Sequence, residues 1–87
     1  MAEKYFIYIS KQIRKSLLKI PSPWIDRIEK AIDALQVNPY LGEKMNGELS
    51  YSRKIKIWPY RIIYKIETEQ KVIKITEVAH RGNVSYD

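Results

Sequence analysis

The chain has no cysteine, which excludes a disulfide framework and thiolate metal ligation and argues against a small secreted scaffold. It has one histidine, His80, and its carboxylates are scattered, so no metal site and no cofactor are expected. Glycine is scarce, with three residues in 87, and none belongs to a phosphate-cradling loop. No serine or cysteine nucleophile motif is present either. No apolar run approaches the ~18 residues that a membrane span needs. The opening Met1-Ala2-Glu3-Lys4-Tyr5 has no long apolar stretch behind it, so no signal peptide is expected. These absences predict a soluble cytoplasmic protein, and the length predicts one domain over residues 1–87.

What is present is an apolar fraction of 45%, enough for one thin core, and a net charge of +6. A positive balance of that size on a small domain suits a polyanionic partner, though it also serves solubility. The distribution favours the partner. Residues 1–43 carry seven basic and five acidic side chains, whereas residues 44–87 carry nine and five. Between Arg53 and Lys65 there are five basic residues and no acidic one. A solvated face normally interleaves the signs.

Along the chain, Tyr5 to Ile9 is β-branched and aromatic and reads as a strand. Ser10 is a candidate N-cap for a helix carrying Ile13, Leu17 and Ile20 on one stripe, ended by Pro21. Ser22-Pro23 is a second helix start, after which Ile25, Ile28, Ile32 and Leu35 recur at helical spacing until Asn38-Pro39. The two helices are expected to form an antiparallel hairpin. A loop holding Gly42 and Gly47 follows, and the period then changes to two. Arg53 to Ile57 is a strand, Trp58-Pro59 breaks it, Tyr60 to Ile66 is the next, Glu67 to Gln70 is a turn, and Val72 to Val78 is the last. The expected fold is α+β: a strand, a helical hairpin and an antiparallel meander, forming a four-stranded sheet with both helices on one face and the other face open.

Strand alternation puts Lys54 and Lys56 on one face and Ile55 and Ile57 on the other. Two ammonium groups about 7 Å apart along a strand repel each other, which prepares one of them to accept a proton. The same lysines would also keep an exposed sheet soluble. Arg61, Ile63 and Lys65 share a parity opposite to the more apolar Tyr60, Ile62, Tyr64 and Ile66. Arg61 is therefore expected on the open face, where a guanidinium can clamp a phosphate. The last segment, Ala79 to Asp87, adds His80, Arg81 and the near-terminal Tyr86, which beside phosphate-binding groups could stack on a base. Arg53, Lys65 and His80 are candidates for further RNA contact. An inventory of Lys, Arg, Tyr and His suits RNA cleavage, because RNA supplies its own nucleophile in the 2′-hydroxyl. The protein then has to help move a proton and stabilise charge on the phosphoryl and leaving oxygens.

The run Arg53-Lys54-Ile55-Lys56-Ile57-Trp58-Pro59-Tyr60-Arg61-Ile62-Ile63-Tyr64-Lys65-Ile66 resembles the central hairpin of RelE/ParE toxins. Val78-Ala79-His80-Arg81, with a tyrosine a few residues on, resembles that family's C-terminal motif. The likeness covers nearly the whole chain, and the order and spacing of its pieces carry it. In the RelE branch the resemblance implies a metal-independent mRNA endoribonuclease that works in the ribosomal A site and is held inactive by a cognate antitoxin. Lys54 and Lys56 match the family's strand lysines, implicated in proton abstraction and phosphate contact. Arg61 matches the transition-state arginine, Arg81 the arginine near the leaving group, and Tyr86 the tyrosine that stacks on or orients the substrate. Trp58-Pro59 stands where many members have a glycine-containing turn. A proline there fits either a cis bond in a tight turn or a longer open loop.

The ParE branch shares the fold but inhibits DNA gyrase, and its members generally lack the full basic set that is present here. A non-catalytic RNA-binding module would use the same face without chemistry. The expected partners are an acidic antitoxin, in a toxin–antitoxin hetero-oligomer, and the ribosome with its mRNA, with no membrane. The antitoxin is expected as an extended segment carrying a helix, with Trp24 and Ile20 as candidate anchors.

Overall fold

The computed structural model describes residues 4–45 and 51–80. The elements run β1 (Phe6–Ile9), α1 (Lys11–Leu18), α2 (Trp24–Leu35), β2 (Glu43–Lys44), β3 (Ser52–Ile57), β4 (Tyr60–Glu67) and β5 (Val72–His80). Ser10 caps α1: its backbone is extended, and its hydroxyl accepts the Ile13 N–H at 3.2 Å. The helix stops at Leu18, short of Ile20 and Pro21. α2 begins right after Pro23 and has Asp26 in its first turn, a favourable charge at a helix N-terminus. Its residues Ile28, Ile32 and Leu35, at helical spacing, are all buried.

Among the described residues the sheet has five strands, in the order β1-β5-β4-β3-β2. That is one more than the four expected. The addition is β2, two residues from the stretch read as a loop, which pairs antiparallel with β3. β1 pairs parallel with β5, and β3, β4 and β5 form the antiparallel meander. Only two residues, Trp58 and Pro59, separate β3 from β4, and the peptide bond between them is cis. α1 packs against β5 and α2 against β3, so the helices divide one face of the sheet between them. The core lies there: Ile28, Ile32 and Leu35 of α2 meet Ile62 and Tyr64 of β4 and Ile73 and Ile75 of β5.

One irregularity sets the two faces. Ile63 pairs with Glu77, but Tyr64 pairs with Ile75, so Thr76 is an extra residue in β5. Such a bulge shifts the alternation by one. Ile73 and Ile75 therefore point into the core, while Glu77 and Ala79 join the open face. Val78 and His80 take the core side instead, opposite Ile62 and Tyr60. The Thr76 hydroxyl donates to the Ile63 carbonyl at 3.0 Å and holds the bulge.

Candidate functional site

Residues directly opposite each other in a sheet share a face, so the register builds the site row by row. At the β3–β4 tip, Lys56 lies opposite Arg61, and Arg61 opposite Ala79. The next row runs Glu43, Lys54, Ile63, Glu77 across four strands. Lys54, Lys56 and Arg61 thus come together, and with Trp58, Pro59 and Tyr60 they line a concavity of about 340 Å³. Like charges placed directly opposite each other destabilise a sheet, so the Lys56–Arg61 pair opposes folding unless a negative charge or solvent offsets it. Ala79 beside Arg61 has a small side chain that leaves the guanidinium side of this row low.

A buried network fixes the lysine edge of the site. The Tyr64 hydroxyl donates to the Pro39 carbonyl at 2.8 Å and accepts the Gly42 N–H at 2.9 Å. Burial raises the Tyr64 phenol above its ordinary value of 10.0, opposed by the Gly42 hydrogen bond and the nearby Arg53 charge. Gly42 packs so tightly that a Cβ there would lie 2.7 Å from the Lys54 carbonyl oxygen and 2.8 Å from the Tyr64 hydroxyl. These contacts press the 39–42 segment against the sheet and deliver β2, with Glu43, to the side of Lys54.

Lys65 lies on the same face as Lys54, Lys56 and Arg61, farther down β4. Arg53, expected among the RNA-contacting residues, turns to the opposite face. Its guanidinium donates to the Gly42 carbonyl at 2.7 Å and to the Tyr40 carbonyl at 3.5 Å, and lies 4.9 Å from the centre of the Tyr40 ring. It braces the 39–42 segment. His80, expected in the same group, also takes the helix face, edge-on to Tyr60 at 5.0 Å between ring centres. Tyr60 in turn stands 6.3 Å from Trp24, so Trp24, a candidate antitoxin anchor, is half-buried in this aromatic cluster. Arg81 and Tyr86 lie outside the described residues.

Three neighbours of the basic cluster are not apparent from the sequence. Trp58, 68% exposed, forms one wall of the concavity. Glu43 and Glu77 flank Lys54 and Ile63 in the same row, so carboxylates do reach this face although none occurs between Arg53 and Lys65. Only strand pairing brings them there, across sequence separations that charge counting along the chain does not see.

The family model described as "ParE toxin of type II toxin-antitoxin system, parDE" matches residues 7–84. The chain belongs to the RelE/ParE superfamily of type II toxins. Solved structures agree with this superfamily fold. A RelB–RelE complex from Pyrococcus horikoshii OT3 is 27% identical, with a TM-score of 0.74 over 93% of this chain and 99% of that one. A RelBE toxin–antitoxin complex from Mycobacterium tuberculosis is 24% identical, with a TM-score of 0.78 over 90% and 99%. The isolated Escherichia coli RelE toxin is 21% identical, with a TM-score of 0.80 over 93% and 88%. A search of curated protein sequences finds no match. Among the described residues of this RelE/ParE toxin, no helix is long and apolar enough to cross a membrane.

Proposed function

We propose that this toxin is a ribosome-dependent endoribonuclease of the RelE kind, acting in the cytoplasm on mRNA in the A site. The observation that carries the reading is the Lys56–Arg61 cross-strand pair, with Lys54 beside it, lining one concavity on the open sheet face. The RNA 2′-hydroxyl attacks the adjacent phosphorus. A strand lysine, Lys54 or Lys56, accepts its proton, and Arg61 binds the phosphoryl oxygens as charge builds on them. The O2′–P bond forms and the P–O5′ bond breaks. The leaving 5′-oxygen takes up a proton from solvent; the resemblance gives Arg81 the role of assisting at that oxygen and Tyr86 that of stacking on or orienting the substrate. The products are a 2′,3′-cyclic phosphate and a 5′-hydroxyl. No metal enters this scheme.

The partner in the resting state is a cognate acidic antitoxin. Both the mycobacterial and the archaeal relatives are complexes with RelB proteins, and the +6 charge of this chain complements an acidic wrap. The matched ParE family model favours a second reading, inhibition of DNA gyrase.

The deciding experiment adds purified toxin to programmed ribosomes and, separately, to a gyrase supercoiling reaction. Cleavage is expected only with ribosomes, and a 2′-deoxy nucleotide at the cut site should abolish it. Cleavage of the deoxy substrate at the normal rate would refute 2′-hydroxyl attack. Inhibited supercoiling with intact mRNA would assign the protein to the gyrase branch.

A further inference from the structure

The open face continues well beyond the concavity. The next row past that of Lys54 runs Ser52, Lys65, Lys74 and Tyr8, each directly opposite the next on β3, β4, β5 and β1; Ser52 is buried, and the row is open from Lys65 to Tyr8. Lys65 and Lys74 are therefore a second cross-strand pair of like charges. Such a pair is unfavourable in a sheet unless something offsets it. Glu67 does so in part, through an ion pair with Lys74 at 3.2 Å. At its β1 end the face presents two rings: Tyr8, in this row and 55% exposed, and Phe6, one row on and 72% exposed. They sit two residues apart and, with Ile7, Val72 and Lys74, line a shallow depression.

Large aromatics exposed on an edge strand are a liability, because such a strand invites unwanted pairing. The inward side of β1 needs only Tyr5, Ile7 and Ile9, which pack on the core. Core formation therefore does not explain the outward rings. Rings on a sheet face beside lysines are the chemistry with which single-stranded nucleic acid is held, bases stacking on the rings and phosphates meeting the ammonium groups. Arg61 and Lys65 are four residues apart on β4, about 13 Å at strand spacing. Lys54 stands opposite Ile63, two residues from Lys65, so the Lys65–Lys74 row lies about 7 Å beyond the lysine end of the first site and is the next anion position along the face. The row between holds Lys54, Ile63 and Glu77: Lys54 belongs to the first site, and Ile63 and Glu77 would meet a ribose or base, not a phosphate.

We infer that Phe6, Tyr8, Lys65 and Lys74 form a second subsite that binds the single-stranded RNA continuing from the phosphate held at Lys56 and Arg61. The inference rests on the nuclease reading of that first site. Its effect is to hold a longer stretch of unpaired message than the concavity alone can grip.

The test uses fluorescein-labelled, fully 2′-O-methylated RNAs of three and eight nucleotides, which the toxin cannot cut by 2′-hydroxyl attack. Affinity is measured by anisotropy at low salt. Wild type should bind the longer RNA more tightly. Phe6→Leu with Tyr8→Leu, which keeps apolar bulk and removes the rings, should weaken the eight-nucleotide complex roughly tenfold per ring and leave the short one unchanged. Lys65→Gln with Lys74→Gln should weaken the long complex and lower its salt dependence by about 0.7 in log–log slope for each phosphate no longer neutralised. All four side chains are on the open face, so circular dichroism should show the variants folded. Equal affinity of wild type for both lengths would overturn the subsite, as would an eight-nucleotide affinity untouched by the leucine pair. Loss of antitoxin binding with unchanged RNA binding in the leucine pair would make this a protein surface and overturn it too. Arg61→Ala keeps the two claims apart. If that variant still cuts message on the ribosome at the wild-type rate while the leucine pair weakens the longer RNA, the nuclease site fails and the ring subsite stands.

Discussion

Replacing Tyr64 with phenylalanine removes one oxygen from the best-buried ring of the core. That ring has 0% exposure, and its hydroxyl holds two backbone groups from a segment more than twenty positions away. The phenylalanine ring would fill nearly the same space, so the cost is almost wholly polar. The Gly42 N–H and the Pro39 carbonyl would each lose a partner where water has little access. An unsatisfied buried donor or acceptor costs about 1–3 kcal/mol, and with partial relaxation the pair should cost about 2–3 kcal/mol in all. For a domain of this size that is a fall in Tm of roughly 10–20 °C. Urea unfolding followed by tryptophan fluorescence, to which the half-buried Trp24 and the exposed Trp58 both contribute, measures it. The phenol also links stability to pH. Its folded pKa is raised above 10.0, so the neutral form is the one the fold favours. The stabilisation is whole below pH 10.0 and is lost as pH rises from there through the folded value. Tyr64→Phe should therefore narrow its deficit against wild type as pH rises above 10.0. A stability loss under about 0.5 kcal/mol at neutral pH, or a deficit independent of pH in the alkaline range, would refute the role given to this hydroxyl.

Arg61→Ala and Arg81→Ala should each lower the ribosomal cleavage rate by at least ~10²-fold, and Lys54→Ala with Lys56→Ala at least as much. Denaturation curves of the Arg61 and Lys54/Lys56 variants should show stability close to wild type, since these residues lie on the open face away from the core. Arg53→Met should do the reverse: it costs roughly 1–2 kcal/mol by releasing the Gly42 carbonyl and leaves the affinity for short RNA unchanged, as read by the same anisotropy assay. Expression without an antitoxin should arrest growth and translation, which pulse-labelling of new protein reads directly. Accumulation of folded wild-type toxin with normal growth would contradict the assignment.

Within each element, much of this protein follows from the sequence alone, because helices and strands repeat at fixed periods. Ser10 caps a helix, Ile28, Ile32 and Leu35 make a buried stripe, and Lys54 and Lys56 leave the core to Ile55 and Ile57. Arg53 shares the parity of Ile55 and Ile57, so its turn to the helix face is also legible once parity is given precedence over charge. What tertiary structure alone decides is which residue stands opposite which. Pairing Lys56 with Arg61, or Lys65 with Lys74, depends on the length of the Trp58-Pro59 turn and on the bulge at Thr76. A shift of one residue there exchanges the two faces of everything beyond it. The bulge is what sends His80 toward Tyr60 and Ala79 toward Arg61. β2 has no strand-forming pattern of its own. Glu43 reaches Lys54 because Tyr64 and Arg53, far along the chain, hold the preceding segment against the sheet, and no local signal records a contact made at that distance.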